Sequence, residues 1–196
     1  VKRLATENVH QYTPMSGYPP LLTKIAKLVL DSYKRVVQPE TEILVTAGAT
    51  QGIFTTILAL IKANDEVIIL DPSYDCYEAP VLLCNAHSVR VPLNDDYTPN
   101  WEIIEKACSA KTRMIIINNP HNPSGTIWDE ADFLALEKIM SKHPNLRLLS
   151  DEVYEFIAYS GSHQSIHQRA QLRDRAIIVS SFGKTFHITG WKLGYL

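Results

Sequence analysis

An α/β fold, with a mostly parallel sheet between two helical layers (αβα), is what the sequence predicts, on three observations. Apolar runs of strand length alternate with stretches of helical periodicity along the chain. The runs DEVIILD (65–71) and TRMIIIN (112–118) are continuous rather than alternating, as expected of strands buried on both faces. The strand-like runs also open into polar loops at their carboxyl ends: AGATQG, DPSYDCY, NNPHNPSG, SDEVY and SSFGKT. In parallel sheets with right-handed crossovers, ligands sit beyond those ends, so these loops define a single rim.

The elements follow in order. PLLTKIAKLVLDSYKRVV (20–37) places Leu21, Ile25 and Leu28, and beside them Leu22 and Val29, at helical spacing. EILVTA (42–47) reads as a short strand and TQGIFTTILALIKA (50–63) as a helix. After the strand at 65–71 come a strand SVRVPL (88–93), a helix around NWEIIEKAC and the strand at 112–118. WDEADFLALEKIMSK (128–142) is amphipathic, with Asp129 near its start. LRLLSDEVY (146–154) and RAIIVSSF (175–182) give further strands, and the closing WKLGYL reads as the opening of another. There is no internal repeat and no low-complexity segment.

The chain of 196 residues, 45% hydrophobic and 20% charged, is expected to form one globular domain over 1–196. It begins with Val1 and stops inside a strand-like run, so it reads as a piece of something longer. A net charge of −2 leaves no electrostatic footprint for nucleic acid or an anionic membrane, and no apolar run approaches the ~20 residues of a membrane helix. Cys76, Cys84 and Cys108 lack C-x-x-C spacing and read as reduced thiols of a cytoplasmic protein.

Lys184 stands in SSFGKT, whose GKT suggests a nucleotide-binding loop. That motif requires glycine at 178, and the residue there is Ile178. In AGATQGI, Gly48 and Gly52 flank a strand-to-helix turn, where Ala49, Thr50 and Gln51 would offer N–H groups to an anion. An ordinary helix cap at Thr50 explains the same residues. SDEVY ends an apolar run with Asp151 and Glu152. A carboxylate at that depth needs a cation, such as a protonated heterocycle nitrogen, or else serves as a structural ion pair. A partly desolvated lysine on the same rim is a candidate nucleophile able to form a Schiff base. NNPHNPSG is stiffened by Pro120 and Pro123, which aims the Asn122 side chain. His163 and His167 have a zinc-compatible spacing, but Gln164 stands where a metalloprotease needs glutamate. The flanking residues suggest a surface insertion, so no metal is expected. There is no G-x-S-x-G elbow of a serine hydrolase.

Taken together and in order, TAGATQG, DPSYDCY, NNPHNPSGT, SDEVYE and SSFGKTFHITGWKLGY resemble the fold-type-I pyridoxal-phosphate aminotransferases of class I/II. The resemblance runs from HQYTPMSG to the last residue, and YDCYEAP and FGKTFHITGWK are similar to the methionine and kynurenine aminotransferase branch. It implies that 1–196 is the large cofactor domain with both ends removed, the small C-terminal domain being absent. It implies pyridoxal 5'-phosphate as cofactor, with Lys184 as the aldimine lysine and proton shuttle. By the same resemblance Asp151 is the partner of the pyridine nitrogen. Asn122 and Tyr154 bond the ring's 3-oxygen, Tyr74 stacks on the ring, and Ala49, Thr50, Ser181 and Lys192 form the phosphate cup. Lys192 stands where many members carry arginine. Tyr12 matches a tyrosine that reaches the neighbouring subunit's phosphate, implying a homodimer. The activity implied is ping-pong transfer of an amino group from an L-amino acid to a 2-oxo acid. A carbon–sulfur β-lyase using the same cofactor, or a non-catalytic ligand-sensing module of this fold, remain alternatives.

Overall fold

The computed structural model describes residues 11–159 and 163–196. Two compact units divide at residue 45, Val1–Val45 and Thr46–Leu196.

In the first unit the sequence YPPLL starts helix α1 (Pro19–Tyr33), because proline at the first position gives up an N–H that would have no helical acceptor. The helix buries Leu22, Ile25 and Val29 and ends where Lys34 turns left-handed, φ 58°. It stops short of the 20–37 stretch because that left-handed residue breaks the run, and Val36 beyond it is exposed. Tyr12 belongs to this unit, and its side chain is fully exposed.

β1 (Val45–Thr46) falls on the division, and the second unit holds the other strands. Its elements are α2 (Gly48–Leu60), β2 (Glu66–Asp71), α3 (Glu78–Leu83), β3 (His87–Pro92), α4 (Trp101–Ala107) and β4 (Thr112–Asn118). After these come α5 (Glu130–Lys142), β5 (Arg147–Asp151), α6 (Ala170–Arg173), β6 (Ala176–Ser181), α7 (Phe182–Thr185) and β7 (Gly194–Tyr195). The strand order is β1-β7-β6-β5-β4-β2-β3. Pairings from β3 through β6 are parallel, and β6 with β7 is antiparallel. The run 42–47 yields only the two residues of β1, and the closing strand runs against its neighbour.

Alternation along the central strands builds both layers. Ile68, Leu70, Ile115, Ile117 and Leu148 pack with Phe133, Leu136 and Ile139 of α5. Their neighbours Val67, Ile69, Met114, Ile116 and Leu149 pack with Ile53 and Ile57 of α2 and Val81 of α3. Each side of the sheet thus has its own apolar core, the three-layer arrangement expected. α5 starts at Glu130, just inside the 128–142 stretch, because Asp129 caps it: Asp129 accepts from the Ala131 and Asp132 N–H groups, and Asp132 accepts from the Asp129 N–H.

Candidate active site

Strands β4 and β5 finish in register, with Asn118 opposite Asp151, and β6 runs on from Val179, opposite Asp151, to Ser181. Beyond their carboxyl ends lies a cleft of about 670 Å³, lined by all ten sequence-predicted site residues of the second unit.

One wall is the start of α2. Gly48 has φ 78°, a left-handed value that glycine adopts without strain. The N-cap position falls on Ala47, with no side-chain cap. Thr50 is therefore not the cap that the sequence allowed; it occupies the third helical position. Gly48, Ala49 and Thr50 then hold N–H groups with no acceptor inside the helix, at its positive end. Gln51 does something else: its Oε1 accepts from the Ala47 N–H at 2.5 Å, and its own N–H falls where helical pairing begins. It ties together the turn just before the helix.

The chain's last strand closes the same corner. A Cβ on Gly194 would lie 2.6 Å from the Gly48 carbonyl carbon and 2.7 Å from the Ala49 nitrogen, so only glycine permits the approach. The approach brings the Lys192 main chain beside Gly48, with Lys192 itself left-handed at φ 52°. Ser181 sits at the N-cap of α7, where its Oγ accepts from the Gly183 N–H at 3.1 Å.

The deep end is acidic. Asp151 is 3% exposed; its Oδ2 accepts from the Tyr77 hydroxyl at 2.8 Å and its Oδ1 from the Val153 N–H at 3.3 Å. Burial pushes its carboxyl up to about 6, held from rising further by those two donors and by Lys184. Glu152, one residue on, serves the opposite face. It accepts from Ser150 Oγ, His163 Nε2 and the Ile166 N–H at 2.9, 2.9 and 3.0 Å. Burial works to raise the Glu152 carboxyl, but these donors, His163 foremost, hold it below the usual range. His163 is thus a buried partner of Glu152. The segment 163–168 is no surface insertion, since Ser165 and Ile166 are fully buried. Among the described residues no cluster of His, Cys, Asp and Glu has metal-binding geometry.

Between the two ends stand the side chains that face a ligand. The Asn122 N–H donates to Asn118 Oδ1 at 2.7 Å, and Asn118 Nδ2 donates to the Asp151 carbonyl at 2.9 Å. Asn122 Nδ2 donates to the Tyr154 oxygen at 3.3 Å, which leaves the Tyr154 O–H able to donate into the cleft. Burial, and then the Asp151 charge, push the Tyr154 phenol up, so it stays a donor. The Lys184 amine lies 5.6 Å from the Tyr154 ring centroid. Tyr74 is partly exposed and meets Tyr77 edge-on at 5.9 Å.

Sequence reasoning missed Tyr77, Asn118 and His121. His121 Nε2 faces the Pro72 carbonyl at 2.9 Å, so that nitrogen carries the proton and Nδ1 accepts from Ser124 Oγ at 2.7 Å. Burial lowers its pKa, so the ring stays neutral while joining the Asn122 loop to the Tyr74 loop. Tyr77 and His121 lay inside motifs already singled out, yet their partners are far away in sequence, and spacing carries no signal for them.

The arrangement offers an anion site at one end, a buried acid at the other and a primary amine on the rim. Comparison with known proteins agrees with that chemistry. A family model described as aminotransferase class I and II matches residues 1–196, and the chain belongs to this family. It is 42% identical over 191 residues to the methionine aminotransferase of Escherichia coli (strain K12), covering 96% of this chain and 49% of that protein. It is 37% identical over 206 residues to kynurenine–oxoglutarate transaminase 3 of Homo sapiens, covering 99% and 45%. Among solved structures, the Escherichia coli protein YbdL, described as having a methionine aminotransferase function, superposes with a TM-score of 0.95 at 41% identity, covering 99% of this chain and 51% of that one. N-succinyldiaminopimelate aminotransferase from Mycobacterium tuberculosis superposes at 0.94 with 34% identity, covering 99% and 51%. The chain spans about half the length of the curated relatives it matches.

Proposed function

We propose that this chain carries the cofactor site of a pyridoxal 5'-phosphate-dependent aminotransferase. Its reaction moves the amino group of an L-amino acid of methionine, aromatic or kynurenine type to a 2-oxo acid. The observation behind this reading is the convergence in one cleft of an uncapped helix N-terminus, a buried carboxyl and a lysine amine.

The residues fit that cofactor. The corner where Gly194 meets Gly48 and Ala49 has no room for a Cβ and presents backbone N–H groups, as a phosphate requires. Asp151 is buried and makes no ion pair among the described residues, so a ring cation would relieve it. When bound, the cofactor supplies an aldehyde carbon for the amino group and a ring that accepts carbanion charge.

The chain's own residues do the remaining work. The Ala49 and Thr50 N–H groups, the Ser181 hydroxyl and the Lys192 ammonium would hold the phosphate, with Lys192 acting as a point charge rather than a two-pronged fork. Asp151, ionised, would pair with the ring nitrogen. Asn122 Nδ2 and the Tyr154 O–H would donate to the 3-oxygen, and Tyr74 would cover the ring. The Lys184 Nζ takes the α-proton and returns it, and the Tyr154 ring at 5.6 Å steadies the ammonium between those events. The named functions of the relatives favour amino-group transfer, and neither the β-lyase nor the sensing module gains support from them. We also propose a cytoplasmic homodimer. The three free cysteines support the compartment, and the fully exposed Tyr12 supports a contact with the partner's site. Among the described residues no helix is long and apolar enough to cross a membrane.

The test is the visible spectrum of the full-length protein with pyridoxal phosphate, beside Lys184→Ala, before and after L-methionine. The expected result is a yellow band that requires Lys184 and bleaches with methionine as a 2-oxo acid forms. A folded protein with no lysine-dependent band overturns the proposal.

A further inference from the structure

Tyr77 stands in the apolar core between sheet and helices, among Ile69, Val81, Ile116 and Leu149, and is 3% exposed. A phenol in such a place costs more than a phenylalanine unless its hydroxyl has a partner. The partner is Asp151 Oδ2 at 2.8 Å, across 74 residues of sequence. Among the described residues this is the one side-chain hydrogen bond that the Asp151 carboxylate receives; its other donor is the Val153 N–H at a longer 3.3 Å. A carboxylate held by a single weak backbone donor would swing and, at that depth, take up a proton. The hydroxyl that donates to Oδ2 fixes the rotamer and favours the charged form. Tyr77 keeps its own proton, because burial and then the neighbouring Asp151 charge push its phenol well above the usual range. Its ring also meets Tyr74 edge-on at 5.9 Å, so one side chain touches both the acid and the aromatic flank of the cleft.

We propose that Tyr77 is a positioning residue for the reaction, holding Asp151 ionised and aimed into the cleft through its hydroxyl.

The inference rests on the reading of Asp151 as the ring-nitrogen partner. Other groups around Asp151 do not replace the hydroxyl. Glu152 is anionic and works the opposite way, raising the Asp151 carboxyl, whereas Lys184 lowers it. Cys76, pushed up to about 12 by burial and then by the Asp151 charge, is a neutral thiol. The Tyr154 hydroxyl pairs with Asn122 and makes no hydrogen bond to Asp151 among the described residues.

Tyr77→Phe removes one oxygen and keeps the ring packing, so the variant should fold. Two measurements on the full-length protein decide the matter. In the cofactor-free protein, the Asp151 carboxyl is titrated by carboxyl-carbon NMR, assigned with Asp151→Asn. Loss of a hydrogen bond to a charged group is expected to raise the midpoint by about one unit or more in Tyr77→Phe. In the loaded protein, pyridoxal phosphate affinity is measured in a double-mutant cycle. Tyr77→Phe is expected to weaken binding roughly tenfold in the wild-type background and to change little in the Asp151→Asn background. An unshifted Asp151 midpoint, or equal weakening in both backgrounds, overturns the inference and leaves Tyr77 a packing residue. If the wild-type protein shows no lysine-dependent band, the cofactor reading falls by itself. The carboxyl titration still decides whether Tyr77 governs Asp151.

Discussion

Asp151 carries an energetic cost whose direction follows from its surroundings. Burial is the largest influence on its carboxyl, which titrates at about 6 rather than at the ordinary 3.8. Between those values the native chain holds a proton that the unfolded chain has released, so stability falls as pH rises through the interval and is level above it. Two units correspond to roughly 3 kcal/mol at full burial, as an upper figure. Asp151→Asn in the cofactor-free protein is therefore expected to be more stable than wild type by about 1–3 kcal/mol at pH 8. The gap should close below about pH 4. Thermal melts across that range check it, and the same variant should bind pyridoxal phosphate more weakly. Asp151 was legible because an acid closing an apolar strand is costly unless it has a task. Its supporting hydroxyl was not, because nothing in DPSYDCY distinguishes a tyrosine aimed at a carboxylate from one that packs.

Elements were legible where periodicity was strong, as in α5 and the central strands, and less so at their ends. Helix α3 escaped because its six residues hold too few turns for a helical pattern, and the 42–47 stretch read as a short strand although only Val45 and Thr46 form one. The meeting of β7 with α2 was likewise invisible, since glycine in WKLGYL is explained equally by a turn. The structure makes it specific. Gly194→Ala would press a Cβ onto backbone that cannot swing aside, costing roughly 1–3 kcal/mol and loosening the phosphate corner. At Gly190 an added Cβ meets nothing within 4 Å, so Gly190→Ala should stay within about 0.5 kcal/mol. Denaturant melts and pyridoxal phosphate titrations of the two variants should separate these effects. Equal behaviour would mean that the close approach does not shape the site.

At the scale of the molecule, the rim was readable because parallel strands gather their carboxyl ends on one side, whatever the details of each loop. What one chain's sequence shows less directly is assembly. The proposed homodimer should sediment at twice the subunit mass, and Tyr12→Phe should weaken cofactor affinity without lowering the melting temperature of the cofactor-free protein. Unchanged affinity would remove Tyr12 from the site. The junction of Gly48 with Gly194 also bears on how the protein is made. The helix start that would grip the phosphate is synthesised ahead of β2 to β6, and the strand that completes the corner only after them. A nascent chain therefore exposes half an anion site while those strands are made, and cofactor capture comes after β7 has joined them.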